Sequence, residues 1–140
     1  MPASACRTPC NVGFRPHMVD DMEGLAAKSC VPCRGGVPPL IDEQIAPLLA
    51  QLGEGWHVSE RDDPKRGTTK ILERTYRFQN FADSMAAAVR IGAMAEEQGH
   101  HPDLHVSWGR LVVEVWTHKI GGLTESDFIF AAKCDALMRE

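Results

Sequence analysis

Between Asn80 and Gly99 the chain repeats its apolar residues with a helical period. Phe81, Met85, Ala88, Gly92 and Ala95 fall at spacings of three and four. This predicts a helix with an apolar stripe, whose small residues let another element approach closely. Asn80 can cap its start, Asp83 stands where a capping-box acid would, and Gly99 with Pro102 just beyond marks its end. Past Pro102 the period changes to two. Leu104, Val106, Trp108, Leu111, Val113 and Val115 alternate against His105 and Glu114, the pattern of two strands, 104–108 and 111–118, each with one face buried. Only Gly109-Arg110 separates them, which suits a tight hairpin turn. That register sets Trp108 opposite Leu111 and His101 opposite His118, with β-carbons roughly 4.5 to 5.5 Å apart. It makes Trp108 a core residue and His105 a surface partner of Glu114.

The remaining pattern supplies five further elements or segments. A helix is expected over Asp42–Leu52, distorted near Pro47. A strand follows around Trp56–Ser59, then a charged, Gly-containing turn over residues 62–67. A second strand, Thr69–Phe78, alternates Leu72, Arg74, Tyr76 and Phe78 against Ile71, Glu73, Thr75 and Arg77, and its arginines suggest partial exposure or an interface. The last helix runs from Glu125 to about Met138. Its entry, Leu123-Thr124-Glu125-Ser126-Asp127-Phe128, has a staple pairing Leu123 with Phe128 and a capping box pairing Thr124 with Asp127. Asp127 is thereby accounted for by helix capping, and Glu96 as a last-turn acid or an orienting group. The order αββαββα implies an α+β fold, a four-stranded antiparallel sheet with helices packed on one face and the other left for ligand or subunit contact. Residues 1–36 lack periodicity and read as an irregular Cys-, Gly- and Pro-containing extension; the domain occupies 37–140.

The chemistry concentrates in His100 and His101, immediately after a predicted helix C-terminus, and in His118. Imidazole offers both a proton donor and an acceptor near neutrality. The partial negative charge of a helix C-terminus favours the protonated ring. Three imidazoles held close together cannot all be charged cheaply, so at least one stays neutral as a base. Spacing alone does not say which.

These residues resemble the pterin-4a-carbinolamine dehydratases, also called 4a-hydroxytetrahydrobiopterin dehydratases. The pattern is an acid, three residues, His-His-Pro, five residues, an aromatic, nine residues, His, then eight or more residues and Asp. It is met by Glu96, His100, His101, Pro102, Trp108, His118 and Asp127. Gly55-Trp56, Thr117-His118 and Gly122-Leu123-Thr124 match the surrounding words, and the resemblance extends over about residues 37 to 140. Gly99 departs from animal members, which tend to carry an acid there. The resemblance implies a hydro-lyase that takes water from a 4a-hydroxytetrahydropterin by histidine general acid/base catalysis, in pterin recycling beside an aromatic amino acid hydroxylase. It implies His100, His101 and His118 as catalytic. Pro102, Thr117, Lys119 and Ile120 would join the three histidines around the bound pterin, with Glu96 and Asp127 behind them. No cofactor is implied, since the pterin is the substrate. A homodimer or homotetramer is expected. The alternative is a non-catalytic relative, either a protein-binding transcriptional coactivator or one serving molybdopterin cofactor metabolism.

Composition narrows the classes. The 140 residues are 44% hydrophobic and 24% charged, with a net charge of -4 and a pI near 5.8. One domain is expected, without the basic excess of a nucleic-acid binder. No apolar run approaches the roughly 18 residues of a membrane span, and the start lacks a signal-peptide core, so a cytoplasmic protein is expected. The first nineteen residues contain Arg7 and Arg15 but no acid, which fits either a transit peptide or a true start at Met18 or Met22. Four of the 5 cysteines precede residue 37. Cys30 and Cys33 have the spacing of half a zinc knuckle that Cys6 and Cys10 could complete. Free reduced thiols are the reading carried forward, with a reactive dithiol as the other alternative and Cys134 in the core.

Overall fold

In the computed structural model, which describes residues 24–30 and 37–139, the elements follow the expected order. They are α1 (Asp42–Leu52), β1 (His57–Asp63), β2 (Gly67–Arg77), α2 (Phe81–Gln98), β3 (Asp103–Ser107), β4 (Arg110–Val115) and α3 (Glu125–Met138). The sheet runs β1-β2-β4-β3, with every neighbouring pair antiparallel. The fold is therefore α+β, as the alternating periods imply. Leu72, Tyr76, Leu111, Val113 and Val115 supply the sheet's share of the core. Phe128, Phe130, Ala131 and Cys134 of α3 are fully buried. α3 is covered almost all round, the position of a central helix. Its one deeply set acid near the end, Asp135, accepts from Trp56 Nε1 and Arg74 Nη1, each at 2.9 Å, and from the Tyr76 hydroxyl. Arg74 thus faces the helices and joins β2 to α3, instead of marking an exposed or interfacial strand.

Three local expectations are corrected. β1 continues past Ser59, pairing down to Asp63 opposite Gly67. Its polar residues hide a strand because it lies at the sheet edge, where one side needs no apolar cover. On α2 the buried positions are Ser84, Ala87, Ala88, Ile91 and Ala95, while Phe81, Met85 and Val89 are exposed. Close approach to the sheet selects the small residues and turns the large ones outward; Ser84 is tolerated because its hydroxyl donates to the Asn80 carbonyl at 3.2 Å. The third concerns the hairpin. Ser107 pairs with Arg110 and Leu104 with Val113, so the two-residue turn is Trp108-Gly109, with Gly109 at φ 72°. Trp108 is therefore a turn residue, 72% exposed, and not core. The shift is two residues, which leaves every side chain on its expected face.

Part of the amino-terminal extension is docked. Leu25 and Cys30 belong to the hydrophobic core, Lys133 Nζ donates to the Ala26 carbonyl at 2.7 Å, and Lys28 pairs with Glu125 at 3.1 Å. Cys6, Cys10, Cys33, Met18 and Met22 lie outside the described residues. Among the described residues no helix is long and apolar enough to cross a membrane.

Candidate active site

The end of α2 fixes the first histidine. Asn80 caps the other end by accepting from Asp83 N at 2.8 Å. At the C-terminus Gly99 adopts the left-handed conformation, φ 66° and ψ 27°, and donates to Glu96 O, while His100 N donates to Ala95 O at 3.2 Å. This double closure is a Schellman motif, and it orients His100 directly off the helix. The His100 ring reaches across to α3. Its Nε2 lies 2.6 Å from Asp127 Oδ1, and its ring centroid lies 5.8 Å from that of Phe130, the planes tilted by 53°.

Asp127 is fully buried and divides its carboxylate between two tasks. Oδ1 takes His100. Oδ2 accepts from Thr124 N at 2.8 Å and from the Thr117 hydroxyl at 3.0 Å, and the Asp127 N–H returns to the Thr124 carbonyl at 3.0 Å. The helix-capping role holds, and the carboxylate also binds a site histidine. A buried carboxylate is tolerated only with such donors.

His118 stands on the turn that follows β4. Thr117 N donates to Gly122 O and Gly121 N to Thr117 O, each at 2.9 Å. Arg66 ties this turn to the β1–β2 hairpin by donating to His118 O at 2.9 Å. Gly121 sits at φ 76°, where a β-carbon would run into that guanidinium. The His118 ring is stacked on Trp116, with centroids 4.3 Å apart and planes 10° from parallel; the Arg61 guanidinium lies over the same indole. His101 is exposed and bonds Glu96 Oε1 at 2.7 Å. Pro102 and Ile120 are half-buried, Thr117 is buried and Lys119 is exposed.

The Asp127–Thr117 bond therefore joins the His100 side of the group to the His118 turn. The expected cross-strand pairing of His101 with His118 is not formed. β3 begins at Asp103 and β4 ends at Val115, so neither histidine lies in the ladder, and the observed register would set position 101 against 116. The turn chemistry fixes that offset, which the apolar pattern alone does not.

His105 keeps to the sheet's open face, bonded to Glu114 Oε1 at 3.0 Å. Burial pushes the Glu114 carboxyl up, but bonds from Arg61 and His105 outweigh it and hold it below the ordinary value of 4.5. Burial pushes the Cys30 thiol up to about 11, so near neutrality it is a thiol and a donor. Among the described residues no group of three or more His, Cys, Asp or Glu is arranged to hold a metal ion.

The family model for pterin 4 alpha carbinolamine dehydratase matches residues 38–137. The chain belongs to the pterin 4 alpha carbinolamine dehydratase family. A relative from Rubrobacter xylanophilus, provisionally named a pterin-4-alpha-carbinolamine dehydratase, is 50% identical over 116 residues, covering 83% of this chain and 100% of its own. One from Rickettsia bellii, named likewise, is 49% identical over 113 residues, covering 81% and 93%. A crystal structure titled transcriptional coactivator/pterin dehydratase from Brucella melitensis superposes with a TM-score of 0.60 at 24% identity, over 71% of this chain and 97% of that one. That likeness is one of fold.

Within this dehydratase-family chain, Glu96, His100, His118 and Asp127 all fall on the helix ends and the turn that meet around Asp127. Sequence reasoning missed Trp116 and Arg66 as the supports of His118. The signal for Trp116 was available: an aromatic two residues before a histidine at the end of a strand. Arg66 gave none, being one charge in a polar turn.

Proposed function

We propose that the chain removes water from 4a-hydroxytetrahydrobiopterin, or another 4a-hydroxytetrahydropterin, to give the quinonoid dihydropterin. The observation that carries this reading is the chain of bonds His100–Asp127–Thr117, in which one buried carboxylate holds the His100 ring and anchors the turn on which His118 stands. The C4a–O bond breaks, a protonated imidazole supplies the proton that lets the hydroxyl leave as water, and a neutral imidazole takes the N5 proton as the C4a–N5 double bond forms. Each transfer is worth typically 10²- to 10⁴-fold. No step calls for a cofactor.

On this reading the histidines divide the work. Asp127 Oδ1 accepts from His100 Nε2, so Nδ1 is the ring nitrogen left to take a proton, the arrangement of a carboxylate-oriented base. His101, which bonds Glu96 in solvent and has no buried carboxylate to orient it, is given the acid's role. His118, flat on Trp116, serves as a rigid wall and hydrogen-bonding partner for the pterin. Pro102, Thr117, Lys119 and Ile120 complete the surround. The substrate is what an aromatic amino acid hydroxylase leaves behind, which makes such an enzyme the natural upstream partner. A homo-oligomer fits the exposed Phe81, Met85 and Val89 on α2, since so much outward apolar surface on one helix favours a covering partner.

The test follows the ultraviolet decay of freshly generated 4a-hydroxytetrahydropterin with wild type, His101→Ala and His118→Ala. Wild type should accelerate decay, and each variant should lose at least about 10²-fold. Unaccelerated decay with wild type, or variants equal to it, would overturn the reading.

A further inference from the structure

Cys30 bonds to both of the segments that carry the His100–Asp127 pair. Its N–H donates to Gln98 Oε1 at 3.2 Å, two residues before His100 at the end of α2. Its thiol donates to the Ser126 carbonyl at 3.7 Å, one residue before Asp127 at the start of α3. The stretch around it is anchored independently. Leu25 is 2% exposed and packed into the core, Lys133 holds the Ala26 carbonyl, and Lys28 reaches Glu125. These contacts span α3 from its first turn to its third, so the stretch is fixed to that helix before Cys30 meets α2.

We infer that residues 24–30 form a strap, with Cys30 as its positioning residue, that sets the separation between the end of α2 and the start of α3 and so holds His100 against Asp127. The physical need is clear from the site. The imidazole and carboxylate come from segments 27 residues apart in sequence, and a 2.6 Å bond between two helix ends is sensitive to any relative slide of those ends. The pair itself is one bond between them; Cys30 adds two more on the same two segments. An uncharged thiol suits the place. It donates to a carbonyl while adding no charge near Asp127, and burial together with the Asp127 carboxylate disfavours the thiolate, although Lys133 offsets part of that. The strap's bonds described above are to Gln98, Ser126, Glu125 and Lys133, and none of them is to a motif histidine. It therefore acts through the pair, without touching substrate.

This inference rests on the dehydratase reading only for its kinetic arm. In the full chain, Cys30→Ala should lower kcat about tenfold, as expected for a small misplacement of a reacting group, with KM within about twofold. Cys30→Ser, which keeps a donor to Ser126 O, should recover most of that loss. Gln98→Ala, which cuts the other bond, should behave like Cys30→Ala, whereas Lys28→Ala, which removes only a half-exposed ion pair worth little beside the buried Leu25 and the Lys133 bond, should match wild type. The second arm needs no activity: the low-field imidazole N–H resonance of His100, assigned by its disappearance in Asp127→Asn, should shift or broaden in Cys30→Ala and Gln98→Ala but persist in Cys30→Ser. A protein whose strap only adds stability would show a lower melting temperature with that resonance and kcat unmoved, and this outcome overturns the inference. If wild type proves inactive, the dehydratase reading fails and the resonance still decides. If Cys30→Ala does not fold, Gln98→Ala carries both readouts.

Discussion

At the scale of single residues, Asp127 carries the most. Its two oxygens serve different elements, with Oδ1 on the His100 ring and Oδ2 on the Thr124 N–H and the Thr117 hydroxyl. Asp127→Asn keeps the shape but offers one acceptor oxygen where two are used, so either the imidazole or the cap must meet an amide N–H₂. We expect a stability loss of about 1 to 3 kcal/mol, the cost of leaving a buried group unpaired, measured by denaturant unfolding. A fall in kcat of at least about tenfold should accompany it, since a histidine without its orienting acid loses its tautomer preference. Half of this was legible beforehand. Thr124 and Asp127 are three apart ahead of an apolar run, which is a capping signal in sequence. The other oxygen's partner is 27 residues away, and nothing in a one-dimensional spacing says that a capping acid faces a histidine on another helix.

Elements were read well where their signals are local and poorly where an offset between two of them had to be inferred. Asn80 and Gly99 bound α2 as their side-chain chemistry and backbone freedom demand. Gly99→Ala tests the second boundary. A β-carbon there would meet no atom within 4 Å, so the penalty is that of the left-handed backbone alone, about 1 to 2 kcal/mol. Because His100 N closes the same motif, kcat should fall with stability, and the two losses should be recovered together by Gly99→Asn, which tolerates this conformation better than alanine. The hairpin shows the opposite case. Alternation reports which side of the sheet a residue faces, and a two-residue slide preserves it. The choice between Gly109-Arg110 and Trp108-Gly109 as the turn therefore decided the fate of Trp108, and both contain the glycine. On α2 the same limit applies to the stripe: several faces were apolar, and the one that packs was chosen by how near the sheet could come.

For the molecule as a whole, the sheet separates two environments. The covered face holds the core and the Asp135 cluster with Trp56, Arg74 and Tyr76. Asp135 reads in sequence as an ordinary late-helix acid because a helix buried on all sides has no polar stripe to betray it. The open face carries Arg61, Glu114 and His105. Glu114 titrates in the folded protein below its ordinary 4.5, so the native state favours its ionised form. Its contribution to stability is complete above about 4.5 and is lost as pH falls through the lowered native value. The stability advantage of wild type over Glu114→Gln should shrink as pH falls below about 4.5, in denaturant titrations from about pH 5 downward. A gap unchanged at low pH would refute it.

The double duty of Asp127 also bears on which residues testify to chemistry. A descendant of this chain that had abandoned the reaction would still need an acid at 127, because the first turn of its last helix depends on it. Aspartate there is thus a poor witness to activity. If the proposed reaction is what retains His101 and His118, both exposed and serving no buried partner, a lineage freed from catalysis should lose them first.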